Sequence, residues 1–127
     1  KLYYQDVSIS IGFQLLQKTG VKVGIVTTED KQMNRRRSNK LGLDYDFHAV
    51  KDKLQLVKDL CKQENIFLEN IAYIGDDVNC FDLLSNVGVA ACPKNAMKKI
   101  KSIPNIIQLQ KNGGEGVVRE FIELILS

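Results

Sequence analysis

A chain of 127 residues, 44% hydrophobic and 26% charged, is long enough to bury a core and short enough to hold one domain at most. Its net charge of +3 is too mild to argue for a nucleic acid or a membrane surface as partner, and Arg35-Arg36-Arg37 and Lys94, Lys98, Lys99 and Lys101 read as solvated helix faces. Cys61, Cys80 and Cys92 are odd in number and too widely spaced for a zinc or redox motif, which fits a reducing, cytoplasmic compartment; no apolar run approaches the roughly 18 residues of a membrane span, and the start does not resemble a signal peptide.

Strand and helix patterns alternate along the chain without Pro- or Gly-rich linkers, repeats or low-complexity tracts, as in a layered α/β domain. Ile9, Phe13 and Leu16 have helical spacing, and Gly20 closes that segment. Val21 to Val26 reads as a strand ending at Thr27-Thr28. Lys31 to Leu41 reads as a helix stopped by Gly42, and a short extended piece follows from Tyr45 to Val50. His48, the only histidine, reads as a surface or strand-end residue. Leu54, Val57, Leu60 and Cys61 mark the inner face of a second helix, and Ile71 to Ile74 is the next strand. A helix over Asn79 to Asn86 follows, with Phe81, Leu83 and Leu84, then a strand from Val87 to Ala91. Asn95 to Lys101 is a short helix and Ile106 to Leu109 a last strand. Beyond Gly113-Gly114-Glu115-Gly116, the residues Val118, Phe121, Ile122 and Ile125 define the inward face of a final helix.

The chemistry-bearing segment is Ile74-Gly75-Asp76-Asp77-Val78-Asn79, which puts adjacent carboxylates just beyond a buried strand. Parallel sheets bind ligands outside the carboxyl ends of their strands, and Mg²⁺ takes oxygen ligands, usually one or two carboxylates with waters and substrate phosphate. The plainer alternative makes Asp76 and Asp77 a turn and an N-cap, and the spacing leaves both open. Right-handed crossovers bring parallel strand ends to one edge, so Thr27-Thr28 and Asp76-Asp77 share it, with Lys53 at the start of a helix. Hydroxyls and helix-start N–H groups bind phosphate oxygens, a lysine adds fixed positive charge, and carboxylates hold a metal. Taken singly, each has an ordinary reading: a threonine pair is a cap, and Lys53 beside Asp52 is a surface ion pair. Cys80 reads as a packed, inert thiol, because nothing basic adjoins it in sequence.

The order Thr27, Lys53, Asp76-Asp77 resembles motifs two, three and four of the haloacid dehalogenase-like (HAD) phosphohydrolases. Within them the chain is similar to the small, capless 3-deoxy-manno-octulosonate 8-phosphate phosphatases and to relatives acting on nine-carbon sugar acid 9-phosphates. The likeness runs over the whole chain and is carried by Val23 to Glu29, Arg35 to Leu41, Val50 to Leu54, Ala72 to Asn79 and Gly113 to Phe121. It implies a single domain over residues 1–127: a HAD-like Rossmannoid three-layer α/β sandwich with a mostly parallel sheet and no cap. It further implies an Mg²⁺-dependent phosphomonoesterase of a 2-keto-3-deoxy sugar acid phosphate, working through an aspartyl phosphate. On that resemblance Thr27 binds the phosphoryl group and Lys53 stabilises it, with Thr28, Glu29 and Arg37 toward phosphate and substrate. Asp76 ligates Mg²⁺, supported by Asp77 and Asn79. In such homotetramers the tail, here Gly113, Gly114, Glu115 and Gly116 with Arg119, reaches toward an active site.

Thr27-Thr28-Glu29 also resembles HAD modules fused behind sialic acid cytidylyltransferases, which makes an inactive oligomerisation module the alternative. A receiver-type signalling domain shares the residue types but carries its acidic pair ahead of threonine and lysine. No Gly-x-Gly-x-x-Gly follows a strand, so a dinucleotide site is weaker still.

HAD chemistry needs an aspartate nucleophile at the end of the first strand and a second aspartate two residues on as acid and base. Asp44-Tyr45-Asp46 precedes an extended piece and so points to the opposite sheet edge, and Asp6 has no strand before it. In the family that first strand lies centrally, between the strands ending at Thr27 and Ile74. Its omission would leave buried backbone groups unpaired at roughly 1 to 3 kcal/mol each. The expectation is therefore about thirty upstream residues in the natural protein, carrying the nucleophile strand. Ile9 and Cys80 stand where the family often carries aspartates.

Overall fold

The computed structural model describes residues 18, 20–28, 43–113 and 116–127. The helices expected around Ile9 to Leu16 and Lys31 to Leu41, and the site candidates Glu29, Arg37, Gly114 and Glu115, lie outside the described residues. The fold is α/β, and the strands pair in parallel throughout the described residues. The chain divides into two compact units, Lys51–Gly113 and Lys1–Val50 with Gly114–Ser127.

In the second unit, β1 (Gly24–Val26) pairs in parallel with β2 (Tyr45–Phe47), Val26 opposite Phe47. Asp44 stands ahead of β2 and accepts the Val23 N–H at 2.8 Å, so this carboxylate closes the amino end of the pair, as the sequence suggested. At the carboxyl end, Thr27 N–H donates to the Phe47 carbonyl at 3.0 Å and Val50 N–H to the Thr27 carbonyl at 2.9 Å. Ala49 has φ 58°, a left-handed conformation that turns the chain back to make that second bond. His48 is a strand-end residue but not a surface one: its ring is 5% exposed and meets Asp46 Oδ1 at 2.5 Å. The last helix of the chain (Val117–Leu126) buries Val117, Val118, Phe121 and Ile122, while Ile125, expected on the same face, is exposed in the final turn.

The unit Lys51–Gly113 opens with α1 (Lys53–Glu64). Asp52 caps it, its carboxylate accepting the Gln55 N–H at 3.0 Å, and Asn65 ends it in the left-handed conformation at φ 57°. Its buried residues are Lys53, Val57 and Cys61, one stripe of i, i+4 and i+8 positions. Leu54 and Leu60, expected on the inner face, are only half-buried. The stripe is rotated enough to carry the lysine inward.

A short 3₁₀ turn (Leu68–Asn70) then leads into β3 (Ala72–Ile74). The helix expected over Asn79 to Asn86 starts one residue earlier as a 3₁₀ turn, Val78–Cys80, and continues as α2 (Phe81–Leu84). β4 (Val89–Cys92) begins two residues later than its pattern suggested, because Val87 N–H still bonds the Leu83 carbonyl at 3.2 Å and belongs to the helix end. α3 (Lys98–Lys101) likewise starts late: Ala96 N–H closes a turn on the Pro93 carbonyl at 3.1 Å before the helix begins. β5 (Ile107–Gln108) completes a sheet of order β3-β4-β5, with Ile74 opposite Ala91 and Cys92 opposite Gln108.

The core of this unit gathers Cys80, Leu84, Cys92, Ala96, Ile100 and Ile103, with Tyr73, Phe81, Ala90 and Ile106 against it. A buried Leu or Ile contributes about 1.5 to 3 kcal/mol. Burial raises the thiol pKa values of Cys61 and Cys92, Lys101 partly opposing it at Cys92, so both stay protonated packing groups. Gly88 is required by close approach: a Cβ there would lie 1.9 Å from the Glu69 carbonyl oxygen. Gly88→Ala is therefore expected to destabilise the protein by about 2 to 3 kcal/mol, read as a lowered denaturant midpoint at unchanged slope. Among the described residues no helix is long and apolar enough to cross a membrane.

Candidate active site

The parallel order β3-β4-β5 brings the loops that follow each strand to one edge, and hydrogen bonds tie those loops together. Met97 N–H, after β4, donates to the Asp76 carbonyl at 3.1 Å, after β3. Lys94 N–H donates to the Lys111 carbonyl at 2.9 Å, and Gly113 N–H to Asn95 Oδ1 at 2.9 Å, which joins the loop after β5.

Within this edge the two aspartates are unlike. Asp77 is an N-cap: its Oδ1 accepts the Asn79 N–H at 3.0 Å and lies 3.7 Å from the Cys80 thiol, which donates to it. Asp76 is half-buried, and among the described residues its carboxylate takes no hydrogen bond or ion pair. Asn79 is exposed, with its backbone N–H given to Asp77. No group of three or more His, Cys, Asp or Glu residues is gathered for a metal among the described residues. The donor set still suits Mg²⁺, which commonly takes only one or two protein carboxylates and fills its remaining positions with water and phosphate oxygens.

Lys53 is 8% exposed. It is no surface partner of Asp52, which serves the helix cap. Its Nζ donates to Cys80 Sγ at 3.4 Å, and among the described residues no carboxylate pairs with it. A buried ammonium without an anion is costly, and a charge in that state is one a ligand anion can compensate. Cys80 is 5% exposed and also lies 3.5 Å from the Tyr73 hydroxyl. Gly75 makes this packing possible, since a Cβ there would sit 2.7 Å from Cys80 Sγ.

Thr27 and Thr28 follow β1 in the other unit, Thr27 half-buried and Thr28 exposed. Arg119, on the last helix, donates from Nε to Glu123 Oε1 at 2.9 Å. Sequence reasoning passed over Tyr73, Asn95 and Met97 as site neighbours. Only Tyr73 carried a signal, as an aromatic directly ahead of the acidic turn.

A profile of the haloacid dehalogenase-like hydrolase family matches residues 47–121. The 3-deoxy-D-manno-octulosonate 8-phosphate phosphatase of Haemophilus influenzae is 28% identical over 116 residues, covering 91% of this chain and 64% of that protein. N-acylneuraminate cytidylyltransferase B of Danio rerio is 27% identical over 120 residues, covering 91% of this chain but 28% of that protein. The crystal structure of the Moraxella catarrhalis 3-deoxy-D-manno-octulosonate 8-phosphate phosphatase, in complex with magnesium, phosphate and KDO, superposes with a TM-score of 0.86 at 32% identity, over 92% of this chain and 67% of that one. The chain thus spans somewhat less than two thirds of the curated phosphatase.

Proposed function

Because this chain belongs to the haloacid dehalogenase-like hydrolase family, we propose that it is the greater part of a metal-dependent phosphomonoesterase acting on a 2-keto-3-deoxy sugar acid phosphate, an octulosonate 8-phosphate or a nonulosonate 9-phosphate. The observation that carries this reading is the buried Lys53 ammonium, unpaired with any carboxylate among the described residues, in the same unit as the uncommitted Asp76 carboxylate. Lys53 binds the phosphoryl group and stabilises the charge on its oxygens, in a place where few waters screen it. Thr27 and Thr28, with Glu29 and Arg37, complete the contacts to phosphate and substrate. Asp76 is the protein ligand for magnesium, and Asp77 keeps the acidic turn in shape through its cap, with Asn79 beside it. Magnesium, when bound, neutralises phosphoryl charge and orients the group.

In this reading the nucleophile is an aspartate of the full-length protein at the end of a further strand, as the family's chemistry requires. There the aspartate oxygen forms a bond to phosphorus as the bond to the sugar oxygen breaks, with a proton delivered to that oxygen. Water then hydrolyses the aspartyl phosphate. A cytoplasmic homotetramer, its tail residues Gly113, Gly114, Glu115 and Arg119 reaching an active site, completes the reading. The alternative of an inactive module behind a cytidylyltransferase is not favoured, since the chain also resembles solved sugar acid phosphate phosphatases, one of them holding magnesium and phosphate.

The test is phosphate release by the natural full-length protein, with Mg²⁺ or with EDTA, on eight- and nine-carbon sugar acid phosphates, beside light scattering for its oligomeric state. Mg²⁺-dependent release is the expected result. A folded tetramer that releases nothing overturns the enzymatic reading in favour of assembly.

A further inference from the structure

We propose that Cys80 is a positioning residue for Lys53: its sulfur accepts the hydrogen bond that aims the buried ammonium, and this aim sets how tightly the site holds a phosphoryl group. The role rests on Lys53 being the phosphoryl-binding cation of the proposed function.

A lysine is a point charge on a flexible four-carbon stem, and it must lose rotamer entropy before it can hold one position. Burial on the Lys53-Val57-Cys61 stripe of α1 restricts the stem, and the last torsions then decide where Nζ sits. Among the described residues Nζ makes one hydrogen bond, to Cys80 Sγ at 3.4 Å.

The sulfur is itself held on several sides. Cys80 N–H closes the 3₁₀ turn on the Asp77 carbonyl at 2.9 Å. The thiol donates toward Asp77 Oδ1 at 3.7 Å, which leaves the sulfur lone pairs to accept from Lys53. The Tyr73 hydroxyl lies 3.5 Å away, and the missing side chain of Gly75 leaves the room the sulfur fills. Asp77 thus acts on Lys53 through the thiol it orients. A thiol is a weak and neutral acceptor, so it gives the ammonium a direction and leaves its charge for an incoming anion. Ordering Nζ before the anion arrives spares that cost at binding.

A packing role and a positioning role predict opposite rankings. Serine keeps an acceptor at position 80 but puts a hydroxyl into a cavity shaped for a thiol. Alanine and valine remove the acceptor while changing the volume in opposite directions. In the full-length protein with Mg²⁺, isothermal titration with inorganic phosphate is expected to show Cys80→Ala and Cys80→Val weakened about tenfold, with Cys80→Ser within about threefold of wild type. The kcat/KM for the sugar acid phosphate follows the same order, whatever the order of melting temperatures. In a Lys53→Met background Cys80→Ala has no further effect on phosphate binding, since the two residues act as one unit. Phosphate binding in which Cys80→Ser is no better than Cys80→Ala, or in which all three variants match wild type, overturns the positioning role and leaves the phosphatase reading standing. A wild-type protein that binds no phosphate overturns both.

Discussion

Asp76→Ala is expected to lower Mg²⁺-dependent phosphate release by the full-length protein about a thousandfold or more, and to leave the fold intact. Both halves of this expectation follow from how the residue is used. The side chain makes no hydrogen bond or ion pair among the described residues, so its removal breaks no structural contact. The structural contact of residue 76 is its carbonyl, which accepts the Met97 N–H and survives any substitution of the side chain. Stability should therefore change by only about 0.5 kcal/mol, the range of a substitution away from caps and core. Asp77→Ala gives the contrasting pattern, because that carboxylate caps the 3₁₀ turn and its loss costs about 1 kcal/mol. Phosphate release with Mg²⁺ and with EDTA, thermal melting, and Mn²⁺ binding followed by electron paramagnetic resonance separate the two residues. Turnover and Mn²⁺ affinity unchanged in Asp76→Ala would remove the residue from the metal site.

The second large effect is at Lys53. Lys53→Met keeps the length and apolar surface of the stem and removes the charge, and is expected to cut kcat/KM by about a hundred- to a thousandfold. The same change is expected to hold or raise stability, by about 1 kcal/mol or more, because it removes an ion from the stripe that Val57 and Cys61 occupy. A residue kept at a cost to stability is what a binding site demands. The measurements are steady-state kinetics and a denaturant melt on the same preparation. Loss of stability with full turnover would make Lys53 a structural residue and would remove the observation on which the proposed function rests.

Much of the architecture was legible in the chain, and the misses have local causes. Runs of mainly apolar residues at Ile71 to Ile74 and Ile106 to Leu109 located β3 and β5, although Ala72 and Gln108 within them are exposed. Element boundaries were less legible. Val87 belongs to a helix end because of its bond to the Leu83 carbonyl, and α3 starts late because a turn on Pro93 precedes it. Such choices are made by hydrogen bonds between particular backbone groups, and side-chain hydropathy does not encode them. The face of α1 was read in part, with Val57 and Cys61 buried as expected but Leu54 and Leu60 only half-buried, for a related reason. Leu54 and Leu60 are as apolar as Val57 and Cys61, but the neighbouring elements select the stripe that includes Lys53.

At the site, residue types and their order along the chain pointed to a phosphate-handling edge: a threonine pair after one strand, a lysine opening a helix, and paired aspartates after another strand. Sequence by itself determined the residue types and their places after strands and at a helix start, because strand ends, helix starts and side-chain chemistry are local properties. Which aspartate caps the turn was settled locally, by the bond from Asn79 N–H to Asp77, which the spacing had left open; the tertiary structure decided the rest. It alone turned Lys53 inward to meet Cys80, 27 residues away, and gave a thiol expected to be inert packing the one hydrogen bond the lysine makes among the described residues. Those outcomes depend on which groups meet when α1, β3 and the acidic turn pack together, and a contact between distant residues leaves no periodic trace in the sequence.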